Sequence, residues 1–179
     1  GNFSANMAGY AGEWRESRAE SPAGGMTSLG IHAIDMFVNL FGRVKSVQAV
    51  SRRITMPYDI DDSTMILMDF ENGQSGYLGS VAATGTLWQV RAFGNKGWGN
   101  IFAHDQFTAQ LTDGSFIEES WDGYPYPGMP TIKAEMEAFA ADCEGGAPFP
   151  ATPDQILHAT AVLEAVITSA ETGTRVTLG

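Results

Sequence analysis

Ser28, His32, Asp35 and Asn39 stand four, three and four residues apart, the spacing that stacks side chains on one face of a helix. That face carries a hydroxyl one turn before an imidazole and a carboxylate one turn after it. An imidazole titrates near neutrality. A carboxylate within hydrogen-bond reach fixes its tautomer and raises its pKa, as general acid–base work requires. Just ahead, Ala23-Gly24-Gly25 is a backbone able to pass close to a ligand. The same stripe would also arise on a helix turning a polar face to water, or around a buried histidine bonded to a neighbour. Spacing alone leaves these readings open.

Other constellations are weaker. A metal site drawing on His32, Asp35, His104-Asp105 and His158 lacks any ligand spacing of the His-Glu-x-x-His kind, so no metal is expected. The one cysteine, Cys143, falls on the apolar stripe of a helix and reads as packing. Asp59-Ile60-Asp61-Asp62 reads as a solvated turn before a strand, with cation binding the rarer option. Gly94, Gly97 and Gly99 stand in the wrong order for a dinucleotide fingerprint and suit a hairpin turn. Trp14-Arg15 and the Trp121–Pro130 loop would make ligand walls, since aromatic faces and guanidinium groups suit sugar rings and carboxylates. Each also serves as ordinary structure.

The elements that must position these residues follow from periodicity. Thr27–Phe41 is helical, with Leu29, Ala33, Met36, Phe37, Leu40 and Phe41 as its apolar side and Gly42 as its stop. Strands are expected over Lys45–Arg53, Ser63–Phe70, Ser75–Ala83, Thr86–Phe93, Gln106–Leu111 and Ser115–Glu119, with hairpin turns at Asn72-Gly73 and Asp113-Gly114. Two helices follow. Thr131–Cys143 has Ile132, Met136, Phe139 and Cys143 on one stripe, and Thr152-Pro153-Asp154-Gln155 caps the second. Arg175–Leu178 is an optional last strand, and the first 25 residues read as a loop or short irregular helix. This order predicts an α+β fold: an open, mainly antiparallel sheet of about six strands with helices on one face. Met65, Leu67, Leu78, Leu87 and Phe93 would line the other face, too apolar to stay wet, so self-association through that face is expected.

Composition narrows the function classes. In 179 residues, 44% are hydrophobic and 17% charged, which is globular rather than disordered, and one domain spanning 1–179 is the expectation. A net charge of −11 repels phosphate backbones and anionic lipid, so neither nucleic acid nor membrane is an expected partner. No apolar run approaches the roughly 20 residues of a bilayer span. With a single cysteine there is no intrachain disulfide framework, and a cytoplasmic location is expected.

Trp14-Arg15, the stretch Ala23-Gly24-Gly25-Met26-Thr27-Ser28-Leu29-Gly30-Ile31-His32-Ala33-Ile34-Asp35, and the tail Gly145-Gly146-Ala147-Pro148 to Ser169-Ala170-Glu171-Thr172-Gly173 together resemble the C-terminal domain of the glucose–fructose oxidoreductase / inositol dehydrogenase family. The resemblance spans almost the whole chain. It implies two-domain NAD- or NADP-dependent oxidoreductases of sugars, cyclitols and related polyols. There, an N-terminal Rossmann domain holds the cofactor, and this domain supplies substrate contacts and the homo-oligomer interface. By resemblance, His32 matches the histidine that contacts the reacting hydroxyl, Asp35 is structural support, and Trp14, Arg15 and Gly25 line the substrate cleft. Two departures stand out. Ser28 occupies a position where the family usually carries aspartate, leaving Ser28 a weak catalytic candidate. The dinucleotide fingerprint and the family's Glu-Lys-Pro lysine are missing, the lysines being Lys45, Lys96 and Lys133. The expectation is therefore a fragment of a longer protein, inactive alone and binding no cofactor by itself. A non-catalytic ligand-binding or assembly module that kept the fold is the alternative.

Overall fold

Alternation along Ser63–Phe70 buries Thr64, Ile66, Met68 and Phe70 and turns Met65 and Leu67 outward. The computed structural model describes residues 1–6, 14–121 and 129–179. Its strands are β1 (Asn2–Asn6), β2 (Val44–Arg52), β3 (Ser63–Phe70), β4 (Ser75–Val81), β5 (Ala83–Gly94), β6 (Gly97–Phe102), β7 (Gln106–Leu111), β8 (Phe116–Ser120) and β9 (Val176–Thr177). They hydrogen-bond in the order β8-β7-β6-β5-β1-β4-β3-β2-β9. The helices are α1 (Ile31–Phe41), α2 (Met129–Cys143) and α3 (Pro153–Thr172), and a π turn (Met26–Gly30) runs straight into α1.

The fold is α+β with an open, mixed sheet of nine strands, not about six. Two strands escape periodicity. β1, expected as a loop or short irregular helix, is five residues long and pairs parallel with β4, a partner remote in sequence. β6 starts Gly-Trp-Gly-Asn, with too few side chains to show alternation. The chain divides into two compact units, Gly1–Trp88 with Asp154–Gly179, and Gln89–Pro153.

In the first unit, β2 and β3 pair antiparallel from Val44↔Phe70 to Arg52↔Ser63, and β3 pairs with β4 from Ser63↔Val81 to Asp69↔Ser75. The loop between β3 and β4 needs Gly73 at φ 89°. α1 packs on the sheet's covered face. Phe41 meets the Phe70 ring at 5.6 Å, and Ala33, Ile34, Phe37 and Val38 are buried. Leu29 and Leu40, part of the apolar side read from spacing, flank this stripe and are exposed. Leu78 is likewise corrected: it stands opposite Ile66 and is fully buried, while its neighbour Tyr77, opposite Leu67, takes the open face. Val50, Met65, Leu67 and Tyr77 make that face apolar.

β9 covers only Ser46 and Val47 of β2. Beyond it, side chains of α3 accept the edge N–H groups: His158 Nε2 takes Val44 N–H at 2.9 Å and Ser169 Oγ takes Ala49 N–H at 2.9 Å. Burial, followed by the nearby Arg43 charge, holds the His158 pKa below its usual value, with Asp154 and Glu71 opposing.

In the second unit, Gly94 and Gly97 close the two-residue Asn95-Lys96 hairpin, the use expected for those glycines. Val90 and Ala109 are buried, whereas Phe93 and Phe116 on the opposite parity are exposed. The stripe on α2 does not pack as expected: Ile132, Met136, Phe139 and Cys143 are all exposed. Amphipathic spacing shows which side of a helix wants cover, and here Phe139 meets the Phe149 ring edge-on at 6.0 Å. Among the described residues no helix is long and apolar enough to cross a bilayer.

Candidate functional site

Two turns lead into the helix that carries the polar stripe. In the short 3-10 turn Trp14–Glu16 the Arg15 guanidinium lies 4.3 Å above the Trp14 indole, which is 44% exposed. Arg18, just beyond, is gripped by the segment that seemed a solvated turn. Its two terminal nitrogens lie 2.9 and 2.8 Å from the Asp61 carboxylate, and its backbone N–H donates to Asp59 O at 2.7 Å. Asp61 and Asp62 are buried, which corrects the solvated reading, and their carboxylates are engaged by protein groups. Asp62 accepts the N–H groups of Ile54, Thr55 and Met56 and the Thr55 hydroxyl. Burial pushes its pKa up, but these hydrogen bonds outweigh burial and hold it below the usual carboxylate value.

The Asp61 backbone also explains Gly24. With φ at 56°, a Cβ there would lie 1.9 Å from Asp61 O. A Cβ at Gly25 would lie 2.5 Å from Ser80 Oγ, and Gly25 is buried. The glycine pair was read as backbone able to pass close to a ligand; Asp61 and Ser80 lie so near it that neither position has room for a Cβ. Ala23 also has a positive φ, 56°. Gly30 faces Met26 and Phe3, where a Cβ would meet Met26 Sδ at 2.6 Å. The helix therefore starts with its backbone pressed against the sheet, and its first turn is π, a form that recurs at functional sites.

On the far side stand the candidates. Ser28 is half-buried, and its hydroxyl reaches only Gly25 O at 3.5 Å, the outer limit of a hydrogen bond. His32, Asp35 and Asn39 are exposed on α1. No hydrogen bond joins His32 to Asp35 among the described residues, so the tautomer-fixing contact, one of the readings their spacing left open, is not made. The His32 imidazole is exposed.

Residues 1–99 match the sequence profile of the GFO/IDH/MocA C-terminal domain, just over half of the chain. The chain belongs to the GFO/IDH/MocA family. No curated protein matches it in sequence. The GFO/IDH/MocA fold recurs in solved structures. A Desulfitobacterium hafniense protein aligns over 98% of this chain and 55% of its own, with 21% identity and a TM-score of 0.82. Levoglucosan dehydrogenase in complex with NADH and levoglucosan aligns over 99% and 57%, with 21% identity and a TM-score of 0.78. Aldose-aldose oxidoreductase from Caulobacter crescentus, complexed with glycerol, aligns over 99% and 54%, with 22% identity and a TM-score of 0.79. At such identity the likeness is one of fold, and this chain spans a little over half the length of each.

Within the GFO/IDH/MocA domain, the structure sets Ser28, His32 and Asp35 on one continuous helical run, with Trp14 and Arg15 in the segment leading to it. His158 stands apart as an acceptor for Val44, and residues 122–128 of the Trp121–Pro130 loop lie outside the described residues. Among the described residues no three of His, Cys, Asp and Glu gather into a metal-binding group. Arg18, Asp61 and Ser80, which hold the helix start in place, were missed by sequence reading. Arg18 and Asp61 are 43 residues apart, and nothing local marks them as partners.

Proposed function

We propose that this chain is the substrate-binding and oligomerisation domain of an NAD- or NADP-dependent cytoplasmic oxidoreductase acting on a sugar, cyclitol or related polyol, and that it is inactive alone. The observation that carries the reading is the outward-facing His32, one turn after Ser28, in a chain of the GFO/IDH/MocA family. The named complexes of levoglucosan dehydrogenase with NADH and of aldose-aldose oxidoreductase with glycerol support the substrate and cofactor class.

The sequence carries no Gly-x-Gly-x-x-Gly fingerprint, so the reading places the dinucleotide on a Rossmann domain of a longer protein. When bound, the nicotinamide accepts or supplies the hydride. His32 takes the proton from the hydroxyl on the reacting carbon during oxidation and returns it during reduction. Ser28 can hydrogen-bond a substrate hydroxyl but cannot serve as a base. Trp14 offers a flat apolar face to a sugar ring, with Arg15 stacked upon it. Asp35 supports the helix face. The apolar open face at Val50, Met65, Leu67 and Tyr77 meets a second copy, which removes it from water.

His32→Ala in the longer protein should lower kcat by about 10²- to 10⁴-fold, the usual worth of a general acid–base group, with the thermal melt unchanged. An unchanged rate would remove His32 from the mechanism. Ser28 in place of an acid favours one other reading, a non-catalytic binding or assembly module. A longer protein that binds NAD(P)H yet turns over no sugar or polyol would establish it.

A further inference from the structure

Three hydroxyls lie side by side on the covered face of the sheet. Ser51 on β2 is opposite Thr64 on β3, and Thr64 is opposite Ser80 on β4. All three are buried, whereas the next row, Ala49, Ile66 and Leu78, is wholly apolar. Hydroxyls are retained in such a layer where a backbone group needs them. The Thr64 hydroxyl donates to Ala23 O at 3.1 Å. Ser51 Oγ lies 2.7 Å from Thr64 Oγ1, and with the Thr64 proton committed to Ala23, Ser51 is the donor between them. Ser80 Oγ fills the space beside Gly25.

The polar row therefore underlies the turn that opens the His32 helix. Ala23 and Gly24 both have φ of 56°. A left-handed alanine is strained, and such a residue persists where its surroundings over-determine it. Ala23 has no side-chain polar group to hold itself there; its carbonyl is held by the Thr64 hydroxyl and by the Met26 N–H, each at 3.1 Å.

We propose that Thr64 is a positioning residue for His32. Its hydroxyl, backed by Ser51, grips the Ala23 carbonyl, fixes the direction in which the helix leaves the sheet, and so sets where Ser28 and His32 stand. The inference rests on the oxidoreductase reading only for the statement that His32 is the working group. The mechanical part is tested on this chain without substrate, so it can fail while that reading stands.

Thr64→Val removes the donor while nearly keeping the shape, Thr64→Ser keeps the donor, and Ala23→Gly removes the strain. The readouts are amide hydrogen exchange along Gly24–Gly30 and the ring C–H signals of the three histidines in NMR. Thr64→Val should accelerate exchange over Met26–Gly30 about tenfold or more and move the His32 signal, leaving His104 in place. Thr64→Ser should restore both, and adding Ala23→Gly to Thr64→Val should recover part of the protection. An unmoved His32 signal overturns the proposal, and so does exchange that rises evenly over β2, β3 and β4. If Thr64→Val does not fold, Ser51→Ala reads the same positions, with a change of several-fold expected and no change overturning it.

Discussion

Asp62 is the residue on which the site's supporting loop depends, and its replacement is a quantitative test of that geometry. Its Oδ2 lies 3.0, 2.6 and 2.8 Å from the N–H groups of Ile54, Thr55 and Met56 and 3.1 Å from the Thr55 hydroxyl. Ile54 and Thr55 are exposed, so water can take over their N–H groups once the carboxylate is gone. Met56 is buried, and its N–H would be stranded. One stranded donor and the lost charge-assisted bonds put Asp62→Ala at about 3 kcal/mol. Asparagine can place its single oxygen where Oδ2 sits and keep most bonds in neutral form, so Asp62→Asn should cost only about 1–2 kcal/mol. The sign with pH follows from the depressed pKa. The charged form is favoured in the folded state, so its stabilisation is complete above the unfolded value of 3.8 and is lost as pH falls through the lower folded value. Urea denaturation of wild type, Asp62→Asn and Asp62→Ala from pH 7 to pH 3 measures both. The gap between wild type and Asp62→Asn should be constant near neutrality and begin to close only below about pH 4. A gap under about 0.5 kcal/mol at pH 7, or one that closes between pH 7 and 5, would refute the reasoning.

Two further outcomes are expected. His158 is held neutral, so stability present above the unfolded value of 6.5 should fall as pH drops below it. His158→Gln, which keeps an acceptor for Val44, should flatten that part of a pH series of urea melts; an equally steep variant would remove His158 as the source. Leu67→Lys at the centre of the open face should convert an assembled longer protein to a smaller species in sedimentation, with its fold retained. An unchanged sedimentation coefficient would move the interface elsewhere.

Local pattern made much of this fold legible. β3 and β7 coincide with the expected Ser63–Phe70 and Gln106–Leu111: β3 is a run apolar at both parities, β7 alternates, and turn residues bound both on at least one side. The polar face of α1 was legible for the same reason. What escaped depends on remote partners. β1 becomes a strand by lying along β4, and Leu78 turns inward because it pairs with Ile66. The buried roles of Asp61 and Asp62 depend on Arg18 and on three N–H groups that no local rule connects to them. The need for Gly24 and Gly25 was legible in kind, but its cause was not: the close neighbours are Asp61 and Ser80.

The side chains of α3 that meet β2 bear on how the protein avoids misassembly. A strand flanked by only a two-residue neighbour would ordinarily offer a ladder of bare donors, the template on which another extended chain can add itself. Here His158 and Ser169 answer the donors of Val44 and Ala49, so the ladder is interrupted at both ends of the short stretch that β9 covers. The β2 edge is thereby blunted as a template on which a further strand could pair.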